Sequence, residues 1–468
     1  MTLSRRSFMK KAQAAGIFYA SLSLSGSALA FEKTGKHPLV PDPDGILDLP
    51  EGFTYRLISK AGDMMSDGFF RPGRADGMAC FPHPDDDGKC ILMRNHENWP
   101  STESGSPFGD NDELLDRLPE GKLYDTKATG RPFFGGVTKL VYDLEKKEMV
   151  EDFLVLAGTA GNCAGGPTPW GSWLSCEEAA VVPAEGANKH HGFVFEVPAS
   201  ATGPVDPKPI TAMGRFVHEA AAVDPQTGIV YMTEDNPRGL FYRYIPDVPE
   251  QLHKGGKLQA LVIKGRPSAV TSNWPRDWGG EGQGPTTYMA NEIFAVTWID
   301  MEDATNYELP GNELAKRGHA AGAAQFFRGE GMDYALRSDG KTGDIYFSCT
   351  QGGIMGTGQI WRYTPSATSD GVLELVYESP GADTMDMCDN IAVAPWGDLV
   401  LCEDGRGDQY LRGLTSEGQI YEIARNAHSE KSEFCGACFS PDGQVMFVNI
   451  QEPGLTLAIE GPWKALKS

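Results

Sequence analysis

One unit recurs six times along the chain, and it restricts the fold more than any other feature. It opens on an acidic or polar residue followed by Gly, Ala or Asn. A short apolar run, a Pro/Asp-x-Gly turn, a second apolar run and a polar end follow. The copies start at Asp76, Asn162, Glu219, Glu330, Asp389 and Cys435, and their turn glycines are Gly88, Gly171, Gly228, Gly343, Gly397 and Gly443. In five of the six, a polar residue arrives six positions after that glycine: Glu177, Glu234, Cys349, Glu403 and Asn449. Two apolar runs around a glycine turn make a β-hairpin whose open ends lie together. Alternating strands that begin with Gly, such as those from Gly192, Gly358 and Gly418, fall between the copies. Hairpin plus hairpin predicts a four-stranded blade, and six copies predict an all-β, six-bladed β-propeller. Long insertions, at 100–132 and 262–319, are expected as lids on one face. With 56 Gly and 32 Pro, the composition suits short strands and many turns.

In such a fold the open hairpin ends of all blades converge on one mouth of the central channel. The positions concerned hold Asp76, Glu97, Cys176, Glu177, Glu219, Glu234, Asp235, Glu330, Asp389, Glu403 and Asp404. So many carboxylates in one place repel unless cations sit between them, and oxygen ligands suit Ca²⁺, Mg²⁺ or Fe³⁺. A thiolate at Cys176, beside Glu177, shifts the expectation toward a transition metal. His96 and His218 each precede a rim acid and lack a second histidine at ligand spacing. They read as hydrogen-bonding supports for the ligands. Arg328 stands two residues before Glu330, so on an extended chain both project to one side. It can grip an anionic substrate group or pair with a rim acid. The lone Cys435-x-x-Cys438 reads as strand packing.

Asp plus Glu outnumber Lys plus Arg by 64 to 41. That balance excludes the electrostatic logic of nucleic-acid binding and disfavours anionic membranes. Residues 4–10 (SRRSFMK) with a small-residue apolar stretch from Ala12 to Leu24 and Ala28-Leu29-Ala30 form a twin-arginine export signal. The expectation is therefore a signal peptide over 1–30 and one propeller domain over 31–468. Such a protein would be periplasmic or secreted after passage through the twin-arginine machinery, with no stable membrane anchor.

Several segments together resemble the PhoX-type alkaline phosphatase family. They include the stretch from Asn162 to Glu178 (NCAGGPTPWGSWLSCEE), Arg94-Asn95-His96-Glu97, Phe216 to Ala220, Arg328 to Met332, and Glu433 to Gly443. The resemblance runs along essentially the whole mature chain. It implies a six-bladed propeller with two Fe³⁺ and two or three Ca²⁺ ions on carboxylates and one cysteine. Cys176 would be the iron thiolate. Glu97, Glu177, Glu219, Glu330 and Asp404 would be metal ligands, and Arg328 would hold the phosphate. Arg328, Glu219 and Glu330 would carry catalysis, the hydrolysis of small phosphate monoesters. The alternatives are a calcium-dependent lactonase or esterase, which has no use for Cys176 or Arg328, and a calcium-stabilised binding propeller, in which the rim acids would be structural.

Overall fold

A computed structural model describes residues 37–274 and 287–467, apart from 306, 308, 309 and 312. The export signal lies outside the described residues. Each of the six repeats forms the expected antiparallel hairpin. The first strands are Ala75–Pro82, Asn162–Pro167, His218–Val223, Gly329–Leu336, Cys388–Val393 and Phe434–Phe439. Their partners are Lys89–His96, Ser172–Glu177, Val230–Glu234, Gly343–Cys349, Leu399–Glu403 and Val445–Ile450. Each first strand packs against the next in chain order, and Phe434–Phe439 packs back on Ala75–Pro82. The chain is all-β, and its sheets radiate around a central channel in a propeller-like arrangement. The strand Thr54–Lys60 joins the last sheet beside Leu455–Glu460, tying the N-terminal part of the described chain to its C-terminal part.

The sheets do not divide into six four-stranded units. The hairpins at His218 and Gly329 share one nine-stranded sheet. Its bridge is Ile293–Asp300, which pairs with Gly256–Ile263 on one side and Val372–Glu378 on the other. This strand belongs to the insertion at 262–319 that sequence reading assigns to a lid. Two neighbouring sheets would otherwise present unpaired outer edges, and one added strand satisfies the backbone groups of both. The unit from Asn162 is shorter than expected, with three strands ending on Val194–Pro198.

The small residue after each repeat's first acid has a packing cause. A Cβ on Gly77 would stand 2.5 Å from the Ala164 Cα, and one on Gly331 would stand 2.6 Å from the Asn390 Cα. Neighbouring inner strands therefore approach more closely than any side chain at these positions permits. Between sheets the fill is aromatic: Phe241 stacks on Phe347 at 4.5 Å, with Tyr231, Phe326 and Trp361 in the same buried cluster.

Candidate metal centre

Every one of the six inner strands carries a register shift at the same place. The shifts fall between Ala75 and Met78, Asn162 and Gly165, His218 and Ala221, Gly329 and Met332, Cys388 and Ile391, and Cys435 and Cys438. Residues inside a bulge leave the ladder, and the strand re-aims their side chains. The first residue in each bulge is Asp76, Cys163, Glu219, Glu330, Asp389 and Gly436 in turn. One repeat position thus delivers four carboxylates and a thiol to one end of the channel.

Ligand atoms of Cys163, Glu178 and Glu219 lie within 4.8 Å of one another. So do those of Glu219, Glu330 and Asp389, and those of Asp389, Asp404 and Glu433. Glu219 and Asp389 each belong to two groups, so the three form one continuous chain of ligands. Glu219 is 1% exposed and Glu330 3%. The fold crowds these groups far beyond what solvent would tolerate. Burial, then repulsion from neighbouring carboxylates, raises the pKa of Asp76, Glu178, Glu219 and Glu330 well above the usual carboxylate range. Asp389 is pushed up to about 7 by burial and by Asp404. The Cys163 thiol is also raised, by burial and by Glu219. The Oε2 atom of Glu219 is buried with no hydrogen-bond partner. An unpartnered buried carboxylate oxygen beside a thiol and further carboxylates is a donor set that a cation completes.

Arg328 borders this centre with left-handed backbone (φ 53°). Its Nε and Nη2 donate to the two carboxylate oxygens of Asp235 at 2.6 and 2.8 Å, and Nη2 also donates to Glu330. The pair of bonds to Asp235 holds the guanidinium plane in one orientation. Among the described residues its side-chain hydrogen bonds run from Nε and Nη2.

The structure brings Glu219, Glu330, Asp404 and Arg328 into one connected cluster, and it places the other candidate residues differently. Cys176 lies in an apolar cluster with Leu174, Val194, Met213 and Phe216, outside the three ligand groups, and burial, then the charge of Glu219, pushes its thiol up. Glu177 points away from the ligand groups. It accepts from the backbone N–H of Ala160 and Gly192, both at 3.0 Å, and sits 2.6 Å from His191 Nδ1. That imidazole also meets Asp125, and the two acids raise its pKa to about 9 against burial. Cys163 and Glu178 stand where Cys176 and Glu177 were expected. Glu97 is at the rim but outside the three groups: it takes hydrogen bonds from Arg74, Trp99 and Gln451.

The reason is one residue of register. His96, Glu177, Glu234, Cys349, Glu403 and Asn449 each pair across the hairpin with the residue just before a bulge. Polar members of that set serve the hairpin itself: Glu234 accepts from Tyr242 at 2.8 Å, and Glu403 binds Arg412. The next residue turns to the channel end, because successive side chains face opposite ways. That residue is Glu97, Glu178, Asp235, Thr350 and Asp404 in the first five hairpins. The signal was present as doublets, Glu177-Glu178, Glu234-Asp235 and Glu403-Asp404, in which the second acid faces the centre. His218 sits just before a bulge and His96 pairs with the residue just before one, and both are buried: His96 bonds Gly73 and Thr138, and burial pushes His218 down to about 3.

A propeller-like channel closed by shared carboxylates, a thiol and an oriented arginine defines a metal-dependent hydrolase of an anionic ester. The chain belongs to the alkaline phosphatase PhoX family, whose model matches residues 34–131 and 136–454. It is therefore a phosphoric monoester hydrolase. Among solved structures, Pseudomonas fluorescens PhoX in complex with vanadate, a transition state analogue, is 17% identical with a TM-score of 0.65. The alignment covers 91% of this chain and 97% of that one. A gluconolactonase from Xanthomonas campestris is 12% identical with a TM-score of 0.38, covering 91% of this chain and 98% of that chain. Kuenenia stuttgartiensis hydrazine synthase is 11% identical with a TM-score of 0.38, covering 83% and 96%. No curated protein matches the sequence.

Proposed function

We propose that this phosphatase works in the periplasm, reached through the twin-arginine signal peptide over residues 1–30, on a six-bladed propeller with an iron and calcium centre. The six bulged inner strands, each packed on the next, support the blade count. The observation that carries the reading of the site is Glu219, whose buried, unpartnered oxygen stands between a thiol-containing group and an all-carboxylate group. Cys163, Glu178 and Glu219 suit Fe³⁺, because a thiolate is a poor partner for calcium. Glu330 joins Glu219 and Asp389 in the middle group, and Asp389, Asp404 and Glu433 offer oxygen alone, as calcium requires. Bound ions supply positive charge against the phosphoryl oxygens and Lewis acidity toward the ester.

The chain's own residues do the rest. Arg328 offers its guanidinium to a phosphoryl oxygen while Asp235 keeps it from turning away. Such an oriented donor stabilises charge that grows on those oxygens as the ester bond breaks. Glu330 touches Arg328 and shares its group with Glu219, so it couples the position of the arginine to that of the centre. The test is elemental analysis of protein purified after native export, together with turnover of phosphate monoesters by Glu219→Gln. Iron with calcium and a loss of at least about a hundredfold in kcat are expected. Calcium without iron, or near-normal turnover by the variant, would overturn the assignment.

A further inference from the structure

Three buried titratable side chains beside the thiol-containing ligand group serve neither as its ligands nor as phosphate contacts: Glu177, His191 and Asp125. Glu177 precedes the ligand Glu178 in sequence and pairs across the hairpin with Asn162, the residue before Cys163. Its Oε1 accepts from Ala160 N at 3.0 Å, and its Oε2 accepts from Gly192 N at 3.0 Å and Phe193 N at 3.3 Å. Glu178 N closes the same turn by donating to the Gly161 carbonyl at 2.8 Å. The stretch from Ala160 to Cys163 and the stretch from Glu177 to Glu178 are thus fastened together through one carboxylate and one backbone bond. Those two stretches deliver both the thiol and Glu178 to the first ligand group.

His191 sets where that carboxylate sits. Its Nδ1 lies 2.6 Å from Glu177 Oε1 and its Nε2 lies 3.2 Å from Asp125 Oδ2. Ionised carboxylates only accept, so both ring nitrogens donate. The rings of Tyr124 and Phe133 flank the imidazole, with centroids 5.1 and 4.7 Å away. Asp125 belongs to the insertion at 100–132 and is itself fixed: Oδ2 accepts from Asn188 N at 2.9 Å and Lys189 N at 2.8 Å, and its N–H donates to the Gly158 carbonyl at 3.1 Å. A buried cation shared by two acids adds little net stability over apolar side chains of equal volume. What it does supply is one permitted arrangement of the groups around it.

We infer that Asp125, His191 and Glu177 are positioning residues for the thiol-containing ligand group: the insertion fixes the imidazole through Asp125, and the imidazole fixes the carboxylate that sets the spacing of Cys163 and Glu178. This rests on the reading of Cys163, Glu178 and Glu219 as the iron site. Removing a hydrogen-bonded support behind a ligand costs roughly 10- to 100-fold in metal affinity. The group of Asp389, Asp404 and Glu433 shares no residue with the thiol-containing one, so the loss falls on iron and spares calcium.

The test withdraws ferric ion from the natively exported holoenzyme with a competing chelator. Elemental analysis follows iron and calcium, and the visible absorption follows the iron–thiolate bond. His191→Phe fills the space between Tyr124 and Phe133 but removes both donors, and its iron affinity should fall roughly 10- to 100-fold with calcium retained. His191→Asn places an amide N–H near the Nδ1 position and should recover most of that loss. Asp125→Ala leaves Glu177 its partner but frees the ring, so iron should weaken in the same direction and the absorption band should shift. Wild-type iron affinity and spectrum in the folded variants overturn the inference; where His191→Phe does not fold, Asp125→Ala decides. Parallel loss of iron and calcium, without recovery in His191→Asn, marks general support of the fold and also overturns it. Wild-type protein that carries no iron overturns the iron reading of the centre and this inference with it, so the wild type tells the two failures apart.

Discussion

Stripping metal from this protein should make its folding stability fall as pH rises above neutrality. Asp389 titrates near 7 in the fold, and Asp76, Glu178, Glu219, Glu330 and Glu433 are all raised, by burial first and mutual repulsion second. For a group whose folded pKa exceeds its unfolded value, the stability present below the unfolded pKa is lost as pH climbs through the folded one. Each such carboxyl costs about 1.4 kcal/mol per pH unit while it stays protonated in the fold. Asp389, moved from 3.8 to about 7, accounts alone for roughly 4 kcal/mol by neutral pH. Two buried histidines act the other way. His218 is pushed down to about 3 and His96 is lowered, so each destabilises the fold only where its unfolded counterpart is charged, below about pH 6.5. The unopposed window therefore opens near pH 7.

His191, at about 9, adds a loss of the same sign between about pH 6.5 and 9. It does so with or without metal, so the useful quantity is the gap between loaded and chelator-treated protein. Cations hold the carboxylates ionised, so their contribution to the pH slope vanishes in the loaded form. Even one carboxyl protonated across about pH 7 to 8.5 widens the gap by about 2 kcal/mol. Urea unfolding at three pH values in that window, with and without chelator, measures it. A gap that stays constant or narrows with rising pH would refute the account of the centre as a set of carboxylates crowded by the fold and relieved by cations.

Exchanging the two candidate thiols separates register from proximity. Cys163→Ser should lower the iron content and reduce kcat by at least about a hundredfold, whereas Cys176→Ala should lose about 1 kcal/mol of stability and keep both metal and turnover. Arg328→Lys retains the charge but not the paired bonds to Asp235, and kcat/KM on any monoester should drop roughly 10²-fold; an unchanged value would remove Arg328 from the site. Gly331→Ala places a methyl 2.6 Å from the Asn390 Cα, and thermal unfolding should show a loss of about 1–3 kcal/mol. His191→Phe leaves Glu177 and Asp125 buried without their shared cation, and denaturant titration should register a cost of about 3–5 kcal/mol.

Much of the molecule follows from local pattern. Six hairpins with glycine turns are set by alternation and turn chemistry within about twenty residues, and the ring of inner strands follows because six such units have no other way to bury their faces. Glu219 and Glu330 were legible because each opens a repeat, and Arg328 because it stands two residues before one of them. What local pattern cannot settle is which of two neighbouring residues faces the channel. A one-residue slip reverses every side chain of a strand, and the bulge that decides it is a property of the paired ladder rather than of either strand alone. Glu178 therefore takes the place expected for Glu177. Cys163, at the bulge position of its own repeat, takes the place expected for Cys176. The strand Ile293–Asp300 was hidden for a related reason. Its pairing depends on two sheet edges contributed by segments far apart in sequence, and only the assembled sheets bring those edges within hydrogen-bonding reach.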